Sequence, residues 1–316
     1  MGRSSTTGIR TRQLPTTRIL VSAAESRPPL GNLLAAGALA ILSSTLTEEA
    51  FLSWGWRIAF ALSALLVAIG LVLRLFVAET PLFEQTRTAT TETTPTMPLV
   101  AALRGHWRQI LLAAFTRFGE NAGFYIFSLF VITYITQILH LDRSTGLNAV
   151  MIGMVVALAA IPMFAMLADR IGRRPIYIGA SLATIVWAFA FFALLNTKNV
   201  AAITLAVAVG LLIFAAYSSV IGAFFSELFP TEIRYSGVSL AYNLASVLAG
   251  SLAPIIAIAL YTRFGTGYAI GAYLAAMGTI SLIASLIAKE TQTVNLSTVG
   301  ETTTTRKPAK PTSAIS

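Results

Sequence analysis

Ala165-Met166-Leu167-Ala168-Asp169-Arg170-Ile171-Gly172-Arg173-Arg174-Pro175 lies between two apolar runs, each long enough to cross a bilayer. A dense charge cluster wedged between membrane-length segments is a short loop at a membrane face. Asp169 falls at the end of one helix. Gly172 lets the chain turn sharply, and Pro175 suits the first turn of the next helix. Arg170 and Arg173 can pair with carboxylates on neighbouring helix ends and favour a helix C-terminal dipole. Such a loop can latch helix ends together and let them part. A plainer reading is that its basic residues only fix orientation.

Composition extends this reading to the whole chain. Of 316 residues, 56% are apolar and 11% are Asp, Glu, Lys or Arg, with a mean hydropathy of +0.76. A soluble domain carries about a quarter charged residues, so the class is an all-α, multi-pass membrane protein. Candidate spans fall at 30–47, 57–78, 109–138, 147–168, 175–195, 200–225, 237–261 and 267–288, eight in all. The first is diluted by Asn32, Ser43, Ser44 and Thr45, and the third holds charges. The chain has no Cys, and His106 and His140 are its only histidines. Disulfides and Cys- or His-cluster metal sites are therefore excluded, and no cofactor is implied. The net charge of +9 does not imply nucleic acid, because the basic residues flank the apolar runs. If the 169–174 loop is cytoplasmic, alternation places Arg87, Arg104, Arg108, Arg234 and Lys289 inside, with both tails. The outer connections hold Arg57, Arg143, Lys198 and Arg263. Both termini are expected in the cytoplasm, with the plasma membrane as the site.

A second charge cluster is Arg117-Phe118-Gly119-Glu120-Asn121-Ala122-Gly123-Phe124-Tyr125, near the start of the third span. Charge inside a span is costly and faces a cavity or a partner. Arg117 and Glu120 are three apart and share a helix face. They can neutralise each other, or offer a cation to a substrate carboxylate and a carboxylate to a proton. Asn121 and Tyr125 can add hydrogen bonds. The bland reading is an intrahelical pair that sets helix depth. Tyr134 either lines a cavity or belongs to the aromatic belt. Further along, Glu227 and Arg234 flank Pro230 and can pair across the turn or with the 169–174 loop. Tyr217, Ser218, Ser219, Tyr242, Asn243 and Ser246 form polar patches, and Asn243 is expected to face the bundle interior. Pro162 and Pro254 are candidate kinks.

The 165–174 loop resembles the Gly-x-x-x-Asp-Arg-x-Gly-Arg-Arg signature of the major facilitator superfamily, with Ala165 at the first Gly position. Asp169, Arg170, Gly172, Arg173 and Arg174 all match. Arg117 to Val150 resembles the metabolite:proton symporter branch, which includes carriers of shikimate, 2-oxoglutarate, citrate and proline or betaine. Phe51 to Arg57, leading to Glu79-Thr80-Pro81-Leu82-Phe83, resembles the sixth helix and its borders. Glu227 to Gly237 resembles the loop between helices ten and eleven. The resemblance covers residues 28–290.

That fold has twelve helices in two halves. The resemblance places the first span here at the fifth helix, so about the first four are expected to be missing. It divides the chain into a basic N-tail unlike the family (1–27), two last helices of an N-terminal half (28–78) and a cytoplasmic connection (79–108). A six-helix C-terminal half (109–290) and a disordered cytoplasmic tail (291–316) follow. The implied function is proton-coupled symport of a small organic acid, betaine or amino-acid-like metabolite. Its partners are the substrate, the proton and the bilayer, and no oligomer is specified. Arg117, Glu120, Asn121, Tyr125 and Asn243 are candidates for the substrate and proton pathway. Asp169, Arg170, Gly172, Arg173, Arg174, Glu227 and Arg234 are candidates for a cytoplasmic gate. The alternatives are a non-transporting fragment and an integral membrane enzyme. The latter lacks a nucleophile–base set, a metal cluster and a nucleotide loop.

Overall fold

Lipid offers no hydrogen bonds, so a spanning chain must satisfy its backbone internally, and helices do this within one segment. The computed structural model describes residues 27–76, 98–229 and 233–288, and the long elements among them are helices. They are α1 (Arg27–Thr45), α2 (Trp56–Phe76), α3 (Gly105–Ile138), α4 (Arg143–Ile171), α5 (Arg173–Asn196), α6 (Val200–Leu228), α7 (Arg234–Phe264) and α8 (Gly267–Ile287). Among the described residues, seven helices, α2 to α8, are long and apolar enough to span, rather than the eight expected. The first candidate does form a helix, α1, of 19 residues. Its polar residues keep its hydropathy short of a span. The N-tail through residue 26, residues 77–97 and the tail from 289 lie outside the described residues. The connection expected to run to residue 108 gives way to helix at Pro98, which bends at His106 (φ −133°, ψ 22°) and runs into α3.

Six helices, α3 to α8, make the bundle. α6 packs along α4 and α5, α5 along α8, and α3 sits against α7 and α8. α1 lies on α4, while α2 touches α1 and stands otherwise apart, with Phe60, Val67 and Leu71 exposed. An exposed helix that is largely apolar between Arg57 and Arg74 is compatible with lipid as solvent. Contacts close where side chains are small. A Cβ on Gly153 of α4 would stand 2.6 Å from Leu211 of α6, and one on Gly271 of α8 would stand 3.0 Å from the Ala188 carbonyl of α5.

The turns follow local chemistry. Gly172 (φ 99°, ψ 161°) joins α4 to α5 in a backbone region open almost only to glycine. Asn199 caps α6 by accepting from the backbone N–H of Ala201 (2.8 Å) and Ala202 (3.3 Å). Gly265, at φ 67°, ends α7. Two helices are irregular inside. α3 widens into π turns at Ile126–Phe130 and Tyr134–Ile138, and α7 does so at Ser246–Ser251, just before Pro254. Proline has no N–H to return to the carbonyl one turn back, so its helix is released there. α4, by contrast, continues through Pro162.

The core has two parts. One, toward the Asn196 end, gathers Phe127, Phe130, Tyr134, Phe191 and Phe192. The other, toward the Gly172 end, gathers Tyr177, Tyr217, Phe224, Phe225 and Phe229. Two buried hydroxyls bond one turn back along their own helices, Ser181 to the Tyr177 carbonyl and Thr184 to that of Ala180, both at 2.9 Å. They therefore sit in an apolar interior without leaving donors idle.

Candidate functional site

The site is built on α3. Its first half ends at Thr116, whose carbonyl accepts from the Ser281 hydroxyl of α8. The helix restarts at Phe118 with Arg117 as its cap residue. Gly119 then brings α3 against two helices at once. A Cβ there would stand 2.9 Å from the Tyr217 hydroxyl of α6, 3.1 Å from Ser281 Cβ and 3.3 Å from Gly278 Cα of α8. This close approach fixes where the next residue, Glu120, points.

Arg117 Nε and Glu120 Oε2 are 2.8 Å apart, and both side chains are nearly buried, at 12% and 5% exposure. This contact is an ion pair and not an aligned hydrogen bond. Arg117 Nη2 lies 3.4 Å from Glu120 Oε1, at the long limit for a hydrogen bond. The other face of the guanidinium lies on the Tyr242 ring of α7, 3.8 Å from its centroid. A buried cation is thus held by one carboxylate and one aromatic face, which together offset part of the cost of taking it out of water. Arg117 and Glu120, expected to share a face, do so.

Asn121 and Tyr125 meet α7 at its π turn. A Cβ on Gly250 would stand 2.8 Å from Tyr125 Cε2 and 3.4 Å from Asn121 Oδ1. Asn121 is buried, and its Nδ2 makes no hydrogen bond. Asn243 departs from expectation. It is exposed, and its amide nitrogen donates to the Ser239 carbonyl one turn back (2.8 Å). Self-bonding meets part of the amide's needs without an interior partner. Tyr134 packs at the Asn196 end of the bundle. It is buried, and its hydroxyl bonds Asn196 Oδ1 (2.8 Å) at the end of α5.

The gate candidates gather at the opposite end of α5 from Asn196. Asp169 and Arg170 are exposed on the last turn of α4, and Gly172 is buried. Arg174 reaches α8, where its Nε donates to the Ser285 carbonyl (3.0 Å) and its Nη2 to that of Leu286. These are carbonyls of a helix end, so Arg174 acts as a cationic C-cap. Arg234 Nε donates to the Phe229 carbonyl (3.3 Å) across the α6–α7 turn. The side chain of Glu227 lies outside the described residues, as do residues 230–232.

Nothing in the sequence ties two tyrosines, Tyr242 and Tyr177, to the pair. Tyr242 stands out there only as part of a polar patch, and Tyr177 not at all. Each meets α3 from a distant element, and periodicity does not record contacts between helices that are apolar all round.

Six packed helices of membrane length, with a buried ion pair in α3 and π turns in α3 and α7, form an apolar helical bundle suited to a membrane. The sequence model of the Major Facilitator Superfamily matches residues 29–254 and again 114–315, and the chain belongs to that superfamily. It is 38% identical to the inner membrane metabolite transport protein YhjE of Escherichia coli strain K12, over 84% of this chain and 60% of that protein. It is 34% identical to the shikimate transporter of the same strain, over 83% and 60%. It is 32% identical to the glycine betaine/proline/ectoine/pipecolic acid transporter OusA of Dickeya dadantii strain 3937, over 83% and 53%. These relatives are transporters and not enzymes. The chain spans between half and two thirds of their length.

Proposed function

We propose that this protein serves proton-coupled symport of a small organic acid, betaine or amino-acid-like metabolite across the plasma membrane, with both termini in the cytoplasm. The observation that carries this is the buried Arg117–Glu120 pair inside a membrane-length helix. A pair so placed stores a binding site. When Glu120 takes up a proton from the outer side, it loses its charge and releases Arg117. The guanidinium is then free to bind a substrate carboxylate, with Asn121 Nδ2 as a second donor. Release of the proton on the inner side restores the pair and displaces the substrate. Carriers of shikimate and of proline and betaine among the relatives fit a substrate bearing one carboxylate.

The gate is assigned to the Asp169–Arg174 loop and Arg234, with Glu227 as a candidate partner. The contacts that close it run from cationic side chains to backbone carbonyls, as Arg174 does to α8. Such bonds break and re-form without leaving a carboxylate stranded. Asn243 belongs to the pathway as an exposed polar group on α7.

The test is uptake of labelled organic acids, betaines and amino acids into vesicles holding the protein. Accumulation of at least one of them under an inward proton gradient, abolished by collapsing the gradient and by Glu120→Gln, is expected. Absence of uptake of every one would leave the non-transporting fragment as the better reading.

A further inference from the structure

Charge inside a membrane is costly, so the net charge that a buried site holds limits what it can bind. Of the charged residues in α3 to α8, only Arg117 and Glu120 lie more than one turn from a helix end. They cancel, one cation against one carboxylate at 2.8 Å. The titratable groups packed around them are phenols. Tyr242 of α7 lies against the guanidinium, Tyr217 of α6 against Gly119, and Tyr177 of α5 against Tyr217. Their hydroxyls carry no charge near neutral pH. α8 approaches through Gly278 and Ser281, which do not titrate.

The guanidinium sorts its partners by geometry. Such a plane bonds carboxylates through its edge and stacks on rings through its face. Here the edge meets Glu120, and the face meets Tyr242 at 3.8 Å. A second carboxylate can therefore replace Glu120 without disturbing Tyr242. The neutral donor beside it is Asn121, buried, with an Nδ2 that makes no hydrogen bond. The partners that a substrate cation would need are taken. Arg117 covers the face of Tyr242, and Tyr125 packs on Gly250, where a Cβ would stand 2.8 Å from its ring. The one carboxylate of the pair is the group that takes the proton.

We infer that the substrate is a monocarboxylate with no cationic group, carried with one proton in an electroneutral step. This rests on the proton-coupled reading given above and narrows it. With Glu120 ionised, the site is neutral without substrate. A proton from the outer phase forms an O–H on Glu120 and leaves the charge of Arg117 uncancelled. A monoanion on Arg117 and Asn121 cancels it again. A zwitterion would leave one positive charge buried, and a dianion one negative charge. The O–H of Glu120 is the only covalent bond made, and it breaks when the proton leaves to the inner phase.

The experiment is uptake into proteoliposomes with the pH gradient and the membrane potential set separately, the potential by potassium and valinomycin. Labelled shikimate, lactate and pyruvate are the monoanions, citrate and 2-oxoglutarate the polyanions, and proline and glycine betaine the zwitterions. At least one monoanion is expected to accumulate when the outside is acidic, up to about tenfold per pH unit, the ceiling for one proton per molecule. An interior-negative potential should leave its initial rate unchanged. Proline and betaine should neither enter nor compete. Gradient-driven uptake of a zwitterion or polyanion, or a monoanion rate that changes with the potential, overturns the charge count while the proton reading stands. Uptake that ignores the pH gradient, or no uptake of any probe, overturns both.

Discussion

At the scale of single residues, the costliest feature of this protein is charge in its interior. Glu120 is 5% exposed, and its charged neighbour on α3 is Arg117, one helical turn away. Removing one partner of a buried pair strands the other, which costs about 3–5 kcal/mol, whereas replacing both with apolar residues of similar volume is often neutral. Arg117→Met is therefore expected to lower stability by about that amount. Arg117→Met/Glu120→Leu should recover most of the loss. Unfolding of the purified protein in detergent measures both, and a double variant as weak as the single one would mean that the pair does not hold the site. This pair was legible in the sequence because its two members are three residues apart, a spacing that by itself puts them on one helix face. Gly172 was legible for a similar reason, since a turn between two helices needs a backbone that only glycine supplies cheaply. Tyr242 beneath Arg117, and Arg174 on the α8 carbonyls, were not. Each contact joins residues more than a hundred apart, and nothing in the pattern of either segment specifies the other. Asn243 failed differently. An asparagine in a span must satisfy its amide, but a carbonyl one turn back serves part of that need, so polarity alone did not fix its direction.

At the scale of elements, the bundle is held by close crossings at small residues. Water does not drive these helices together in lipid, and van der Waals contact and interhelical hydrogen bonds must do so. The crossing of α3 with α6 and α8 has both. Gly119 supplies the approach, and the Ser281 hydroxyl donates to the Thr116 carbonyl. A Cβ at Gly119 meets backbone and side-chain atoms within 3.3 Å on two helices, so it must push them apart. Gly119→Ala should therefore cost about 1–3 kcal/mol, as overpacking does. Tyr217→Phe removes the nearest of the three clashing atoms. Combined with Gly119→Ala it should restore part of the loss, a coupling visible in a double-mutant cycle of unfolding free energies. Gly179 on α5 is the control. A Cβ there meets nothing within 4 Å, and Gly179→Ala should stabilise by about 0.5–1 kcal/mol through helix propensity. Equal effects at the two glycines would mean that the α3 crossing is not sterically set. The helices were legible as elements because apolar runs of membrane length have few other solutions. Their crossings were not, since every span here is rich in small residues and only some of them meet a neighbour.

At the scale of the whole molecule, the two ends of the bundle differ in charge. Arg170, Arg173, Arg174 and Arg234 lie at the Gly172 end, while Arg143, Lys198 and Arg263 mark the other. α5 joins the two ends with 24 residues, about 36 Å at 1.5 Å per residue, which is enough to cross the hydrocarbon core. Basic residues in short loops are retained on the cytoplasmic side, so the Gly172 turn should be inside and the Lys198 turn outside. The chain lends itself to a direct test because it has no cysteine, and any thiol introduced is the single reactive one. Arg170, on the last turn of α4, and Lys198, just after α5, are both exposed and lie at opposite ends of α5. In intact cells, a membrane-impermeant maleimide should label Lys198→Cys at once and spare Arg170→Cys until the cells are permeabilised. The same experiment on Arg263→Cys, exposed at the end of α7, should give the Lys198 result, because an odd number of crossings separates each from the Gly172 side. Labelling of Arg170→Cys from outside would invert the bundle. The Arg117–Glu120 pair, which lies in the half of the molecule nearer the Gly172 end, would then sit nearer the outer face and not the inner one.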